Sequence, residues 1–316
     1  MNSVIIEQTN KQSATEGEEE GEKNIYKTAF KYFKQITDLS SIIDLKKYDN
    51  NFANKIVRLE APNNNNIVNI NNDHIKCVHH LHCNTADHFK PFNQWRMYTL
   101  KDPAIAGLFI IPGIIKENYR NDWFEYFHDH LPLRHDLNLK ANIPLFDQKA
   151  NNKNFNNLRW ITFGYHHDWD SKVYSLNQSS VDIPERVEDL CNIVSTYLNI
   201  TFKPQAGIVN YYKRKSSLCF HTDYSEPDHT LPLLSLSLGS SAIFLIGGLS
   251  KDDCDTPITP ILLRDSDLLI MSDKSRLALH AVAKIVSIDQ LDNGNNNKYN
   301  QKTIKRINLN VRQMMR

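Results

Sequence analysis

The sequence predicts a mainly β protein with flanking helices, an α+β chain whose core is a double-stranded β-helix of the jelly-roll type. Three observations predict it. From Ala206 to the C-terminus, short apolar runs of strand length alternate with Gly and polar turn residues. The run 306–312 alternates strictly, with Arg306, Asn308, Asn310 and Arg312 on one face and Ile307, Leu309 and Val311 on the other. Helical periodicity is clearest outside that region, at 25–37 and 184–198. The strands add up to about eight, the number that two facing sheets of a roll require.

In chain order, residues 1–23 hold six Glu and two Lys, a net charge of −4 within a total of +1, leaving +5 on the rest. With no apolar periodicity this reads as a disordered acidic tail. It has neither an apolar signal core nor an Arg-rich, acid-poor presequence, so cytoplasm or nucleus is expected and a mitochondrial address stays open. Residues 24–157 are expected to be an N-terminal helical extension with Asn-rich insertions. Its helix, 25–37, places Tyr26, Ala29, Phe30 and Phe33 at helical spacing, with Lys27, Lys31 and Lys34 elsewhere around it. The Asn-rich stretches 47–75 and 148–157, and 292–300 further on, read as loops. Cys77, His79, His80, His82, Cys83 and His88 match no zinc-finger spacing and are taken as a loop. The apolar run 107–115 suggests a strand, and 117–130 a surface helix.

Residues 158–316 are expected to form a lid and the β core. Trp160, Tyr165, Trp169 and Tyr174 suit an aromatic strand pair. The helix 184–198 starts at Pro184 and puts Val187, Leu190, Cys191, Val194 and Leu198 on one face, to brace the barrel from outside. Strands follow at 234–238, where Leu234, Leu236 and Leu238 alternate with Ser235 and Ser237, and at 241–246, ended by Gly247-Gly248. Further strands are expected at 258–263, 268–271, 281–286 and 306–314.

The totals are 316 residues, 41% hydrophobic and 23% charged, a composition for a soluble globular chain with a sizeable core. No window approaches 18 uninterrupted apolar residues, so no membrane partner is expected. Five unevenly spaced cysteines fit a reducing compartment rather than a disulfide framework. A mildly basic body is compatible with a phosphate-bearing substrate.

The chemistry centres on His221-Thr-Asp223. On a strand, residues i and i+2 point to one side, and an imidazole with a carboxylate is two thirds of the facial triad that holds Fe(II). Taken alone the pair is weak, because His166-x-Asp168 repeats it and a polar-faced terminal strand can simply be a solvated edge. Together with a distant His, Arg306-x5-Arg312 and Asn210-x-Tyr212, the pattern resembles the AlkB family of iron- and 2-oxoglutarate-dependent dioxygenases. It is similar in particular to the branch of the first AlkB homologue of animals, through the runs 206–212, 223–226, 232–235, 241–245 and 247–249, and upstream 159–165 and 170–175.

The resemblance implies His221, Asp223 and His280 as the metal set. It implies Asn210, Tyr211, Tyr212, Arg306, Asn308 and Arg312 around the 2-oxoglutarate, with Arg306 on the distal carboxylate. A guanidinium fork is the strongest grip on that group. Arg312, roughly 20 Å further along a strand, serves the metal end, and Arg276 stands behind the ligands. The implied reaction uses Fe(II), 2-oxoglutarate and O2 to demethylate N-methylated bases of the 1-methyladenine and 3-methylcytosine type in DNA or RNA, tRNA included. The methyl group leaves as formaldehyde and the cosubstrate as succinate and carbon dioxide. The base must be flipped out of any duplex. Trp160, Tyr165, Tyr174, Ser225 and Lys251 are the expected substrate contacts. Position 225 is Ser where many family members carry an acidic residue. A monomer is expected. A zinc deaminase would need His-x-Glu and Pro-Cys-x-x-Cys, and neither occurs. A hydroxylase acting on protein would share the iron site, and a non-catalytic binding module would tolerate the loss of a ligand.

Overall fold

The computed structural model describes residues 24–47, 52–60, 85–134, 137, 158–174, 176, 181–286 and 303–316. The acidic tail, most of the Asn-rich stretches and Cys77 to Cys83 lie outside the described residues. The strands are β1 (Ile56–Leu59), β2 (Met97–Leu100), β3 (Leu108–Ile111), β4 (Trp160–Gly164), β5 (His167–Asp168), β6 (Val173–Tyr174), β7 (Ala206–Lys213), β8 (Leu218–His221), β9 (Leu233–Gly239), β10 (Ala242–Ile246), β11 (Thr259–Leu263), β12 (Leu268–Met271), β13 (His280–Ile285) and β14 (Ile304–Arg312). The α-helices are α1 (Ile25–Gln35), α2 (Glu117–Glu125) and α3 (Glu185–Leu198).

Two antiparallel sheets form the roll. The large one runs β1-β2-β3-β12-β9-β14-β7-β4 and the small one β11-β10-β13-β8, with β5-β6 as a separate ribbon. Period-two alternation decides which side chains meet. On β9 and β14, Leu234, Leu236, Leu238, Ile307, Leu309 and Val311 face outward into one apolar cluster with Trp123 and Phe124 of α2 and Val187, Leu190 and Val194 of α3. Each such side chain contributes about 1.5–3 kcal/mol on burial, which is why these strands cannot slip by one residue. The opposite face collects Ser235, Ser237, Arg306, Asn308 and Arg312, all buried. The roll therefore has a polar lumen.

The outer face of the small sheet is covered by α1. Ile243, Leu245, Ala281 and Ala283 pack with Phe30 and Phe33. Asn24 caps α1 by accepting from the Lys27 N–H at 3.0 Å. Tyr26 anchors the helix, its hydroxyl accepting from the Gly248 N–H at 3.0 Å. No described helix is long and apolar enough to cross a membrane.

The structure differs from expectation in two places. Residues 24–157 are more than a helical extension, because β1, β2 and β3 continue the large sheet through the β3–β12 pair. That pairing covers an edge that β12 would otherwise expose. The helix expected on the surface at 117–130 has one buried face: Trp123, Phe124 and Phe127 are fully enclosed, while Glu117, Asn118 and Asp122 are exposed. Its last turn, Tyr126–His130, widens to a π-turn. His88 is a packing residue, accepting from Trp123 Nε1–H at 3.1 Å and stacked on Tyr119.

Candidate metal centre and cosubstrate pocket

His221 ends β8 and His280 begins β13, and the two are direct partners in that antiparallel pair. Facing residues on adjacent strands lie close enough for their side chains to meet, and the two imidazole centroids are 4.3 Å apart. Asp223, two residues past the end of β8, comes to the same point. Its carboxylate oxygens lie 3.8 Å from His221 Nε2 and 4.0 Å from His280 Nε2. One ligand atom from each residue falls within 4.8 Å of the others.

Both rings are oriented from behind. Nδ1 of His221 lies 2.9 Å from the Cys219 carbonyl and Nδ1 of His280 lies 2.9 Å from the Ala278 carbonyl. A carbonyl only accepts, so the proton sits on Nδ1 and the Nε2 lone pair is left for a metal. Burial and the neighbouring His221 push the His280 imidazole down to about 4, which keeps it neutral. Burial alone would raise the Asp223 carboxyl. The Arg312 guanidinium, the two imidazoles and Arg276 outweigh it and hold the group well below the usual carboxylate range. Two imidazoles with free Nε2 atoms and one carboxylate suit Fe(II).

Behind the triad lies a buried charge cluster. Arg312 Nη2 donates to Asp223 Oδ2 at 2.9 Å, and Arg312 Nε pairs with Glu226 Oε1. Arg276 Nη2 pairs with Glu226 Oε2 at 2.9 Å, and its Nη1 donates to the Asp223 carbonyl at 2.7 Å. Arg276 and Arg312 thus both lie against Asp223 and are joined through Glu226. Glu226 was not anticipated. It lies in the run 223–226, but nothing about a lone Glu in a loop says that it is buried between two arginines.

The second half of the lumen surrounds Arg306, which is 1% exposed. Nη2 donates to Ser237 Oγ at 2.9 Å, Nη1 reaches the Ser240 carbonyl at 3.4 Å, and Nε has no hydrogen-bond partner among the described residues. Burial pushes this guanidinium down to about 10, against the opposing effects of Tyr212, Asp267 and Asp265. A buried cation with an unpartnered N–H is costly, and a carboxylate placed there would remove the cost. The residues present therefore fit 2-oxoglutarate. Asn308 Nδ2 donates to Ser235 Oγ at 2.8 Å. Tyr212 is opposite Arg306 across the β7–β14 pair, and Asn210 is opposite Asn308.

Tyr211 does not join them. One residue out of phase on β7, it points to the outer cluster, and its hydroxyl donates to the Phe127 carbonyl at 2.7 Å. The resemblance placed it at the cosubstrate, and strand alternation removes it.

The model of the 2OG-Fe(II) oxygenase superfamily matches residues 107–312. The chain belongs to that superfamily. This oxygenase is 33% identical over 217 residues to the human "Nucleic acid dioxygenase ALKBH1", covering 62% of this chain and 54% of that protein. Over 130 residues it is 44% identical to the mouse protein of the same name, covering 41% of this chain and 32% of that one. It is 37% identical over 164 residues to the "tRNA demethylase abh1" of Schizosaccharomyces pombe, covering 50% and 53%. The matched segments span about a third to a half of these relatives. Among solved structures it is similar to OsALKBH1, with a TM-score of 0.44, 21% identity, and 66% of this chain and 96% of that chain covered.

The expected substrate residues divide. Trp160 on β4 is opposite Asn210 on β7, and its ring lies 4.8 Å from that of the exposed Trp169. Ser225 is half-buried, 3.0 Å from His167 Nε2. Tyr174 is buried and lies close enough to Arg312 and Glu226 for their charges to act on its hydroxyl; burial pushes that hydroxyl well above its ordinary value. Tyr165 packs beside Tyr174 and Met314. These two support the pocket wall. Lys251 is exposed on the loop joining β10 and β11.

Proposed function

We propose that this oxygenase oxidatively demethylates N-methylated bases in DNA or RNA, tRNA included. The observation that carries the proposal is the joining, in one lumen, of a His–Asp–His set and a buried guanidinium whose Nε has no hydrogen-bond partner among the described residues, beside an aromatic pair, Trp160 and Trp169, suited to stacking a base. The relatives named above support nucleic acid as the substrate. His221, Asp223 and His280 would hold Fe(II), and Arg306 would hold the distal carboxylate of 2-oxoglutarate. Bound there, iron and 2-oxoglutarate with O2 supply the oxidation of an N–CH3 group to N–CH2OH.

The chain's own residues do the rest. Trp160 and Trp169 offer ring faces to an unstacked base. Arg312 and Arg276 keep Asp223 ionised and oriented. The hydroxymethyl product then loses formaldehyde: the N–C bond breaks, its electron pair stays on the base nitrogen and the hydroxyl proton is released. With this reading goes a monomer in the cytoplasm or nucleus, where the exposed thiols Cys219 and Cys254 would stay reduced.

The test is to supply Fe(II), 2-oxoglutarate and a panel of methylated oligonucleotides, tRNA and peptides. Formaldehyde should appear in step with succinate on the nucleic acids. Coupled turnover on peptides alone would overturn the assignment in favour of a protein hydroxylase.

A further inference from the structure

Where β3, α2 and the β11–β12 turn meet, two cations and a hydroxyl converge on the bare face of a glycine. Gly113 follows β3 with φ 57°. A Cβ placed on it would stand 3.2 Å from Lys90 Nζ, 3.5 Å from Arg120 Nη2 and 3.9 Å from Ser266 Oγ. The three groups come from separate segments, and backbone bonds hold two of them in place. The Lys90 N–H donates to the Ile114 carbonyl at 2.9 Å, and the Ile114 N–H donates to the Ser266 carbonyl at 2.9 Å. Ser266 is fully buried, and its hydroxyl has no hydrogen-bond partner among the described residues. Its backbone is held at φ 62°, where a side chain is uncommon. Lys90 is half-buried, and its ammonium makes no hydrogen bond or ion pair among the described residues. Arg120 spends Nε on the Ile115 carbonyl at 3.4 Å and turns Nη2 to the glycine.

Like charges brought this close repel each other. Burial and the Arg120 guanidinium hold the Lys90 ammonium below its ordinary value, against the opposing effects of Asp267 and Glu117. Neither acid closes the pair. Asp267 spends its two oxygens on the Gly113 and Arg264 N–H groups, at 2.9 and 2.7 Å, and burial pushes its carboxyl up to about 7. Glu117 is exposed and forms no ion pair with Lys90 or Arg120 among the described residues. We propose that Lys90, Arg120 and Ser266 bind a terminal phosphate, inorganic or at the end of a small molecule, against the bare face of Gly113. Charge and shape select that ligand. Two cations call for a dianion, and donors from three directions suit the three oxygens of a terminal phosphate. A planar carboxylate is better served by one guanidinium fork. Gly113 and Ser266 are buried, so the anion enters end-on. A phosphodiester within a nucleic-acid chain has a single charge and a substituent on each side, and does not fit. The site is separate from the cosubstrate pocket, where Arg306 turns to Ser237 and Ser240.

The experiment titrates sodium phosphate into the full chain by calorimetry, at constant ionic strength and with no divalent metal for phosphate to capture. The native chain should show saturable binding. Lys90→Gln and Arg120→Gln should each weaken it roughly tenfold or more, as the loss of a hydrogen bond to a charged group does. Gly113→Ala should block it by filling the cradle. Thermal unfolding in phosphate-free buffer checks that each variant is folded, and the two Gln variants decide the matter if Gly113→Ala is not. Lys101→Gln, which removes an exposed cation outside the cradle, and Arg306→Ala should both bind phosphate as the native chain does. Methyl phosphate should bind as phosphate does, and dimethyl phosphate and succinate much more weakly. A tighter fit of methyl phosphate than of phosphate assigns the site to a phosphate ester, and the reverse assigns it to the free ion. No saturable binding by the native chain, unchanged affinity in both Lys90→Gln and Arg120→Gln, loss of binding in Arg306→Ala, or dimethyl phosphate or succinate binding as tightly as phosphate would overturn the proposal.

Discussion

Three side chains carry most of the argument at the scale of single residues. Asp223 is the one anionic ligand, so Asp223→Ala should abolish stoichiometric iron, as read by metal analysis. Arg306 is buried with an unpartnered N–H. Hydrogen bonds to charged groups contribute about 1.5–3 kcal/mol, and an unpaired buried carboxylate costs more. Arg306→Ala should therefore weaken 2-oxoglutarate binding at least roughly tenfold in a titration while iron is retained, and Arg306→Lys should recover only part. Glu226 is the residue that sequence reading missed, and it has the clearest signature in stability. Its loss as Glu226→Gln leaves Arg276 and Arg312 short of a counterion, at about 3–5 kcal/mol in a denaturant titration. Burial raises its carboxyl, but Arg312 and Arg276 outweigh that and lower it. For an acid whose folded value is depressed, the stabilisation is present above the unfolded value, near 4, and is lost as pH falls below it. Native stability should decline below about pH 4–5, and the decline should be shallower in Glu226→Gln.

The element that taught most is β7. Its sequence, Ala-Gly-Ile-Val-Asn-Tyr-Tyr-Lys, contains two adjacent tyrosines, and only alternation tells them apart. Tyr212 faces the lumen. Tyr211 ties the sheet to the last turn of the helix outside it through the Phe127 carbonyl. Tyr211→Phe should therefore leave 2-oxoglutarate affinity unchanged and cost about 1 kcal/mol of stability, a split that thermal unfolding alongside a cosubstrate titration will read. Strands whose two faces differ in polarity, such as β9 and β14, were legible in the sequence to within two residues. The triad was legible only through the family resemblance, because His221-x-Asp223 alone is a weak signal and His280 opens an apolar strand. What was not legible was burial without alternation. The run 107–115 reads as a strand, but the four residues of β3 are all apolar and offer no polar face to show which sheet they join. The α2 region reads as polar because Glu117, Asn118, Arg120 and Asn121 dominate its composition, while Trp123, Phe124 and Phe127 supply its packing. His167 was visible only as the rival metal pair His166-x-Asp168, and its partner Ser225 lies 58 residues away.

At the scale of the whole molecule, the roll joins two charged half-sites whose protein partners are unequally complete. The Arg312 half is neutralised internally, and the Arg306 half awaits an anion. A ligand that binds only the folded chain stabilises it by mass action, about 2.7 kcal/mol at a hundredfold excess over Kd. Saturating 2-oxoglutarate should raise Tm by several degrees in the native chain and by far less in Arg306→Ala. β8 is an edge strand, attached to the small sheet through β13 alone, and that attachment brings His221 opposite His280. An ion gripping both rings acts as a hasp across this seam. It closes only if the two strands have met in step, because a slip of one position would swing one ring to the far side of the sheet. Loading the metal is then also an inspection of the last seam of the roll: a chain that has closed it wrongly cannot take the ion up.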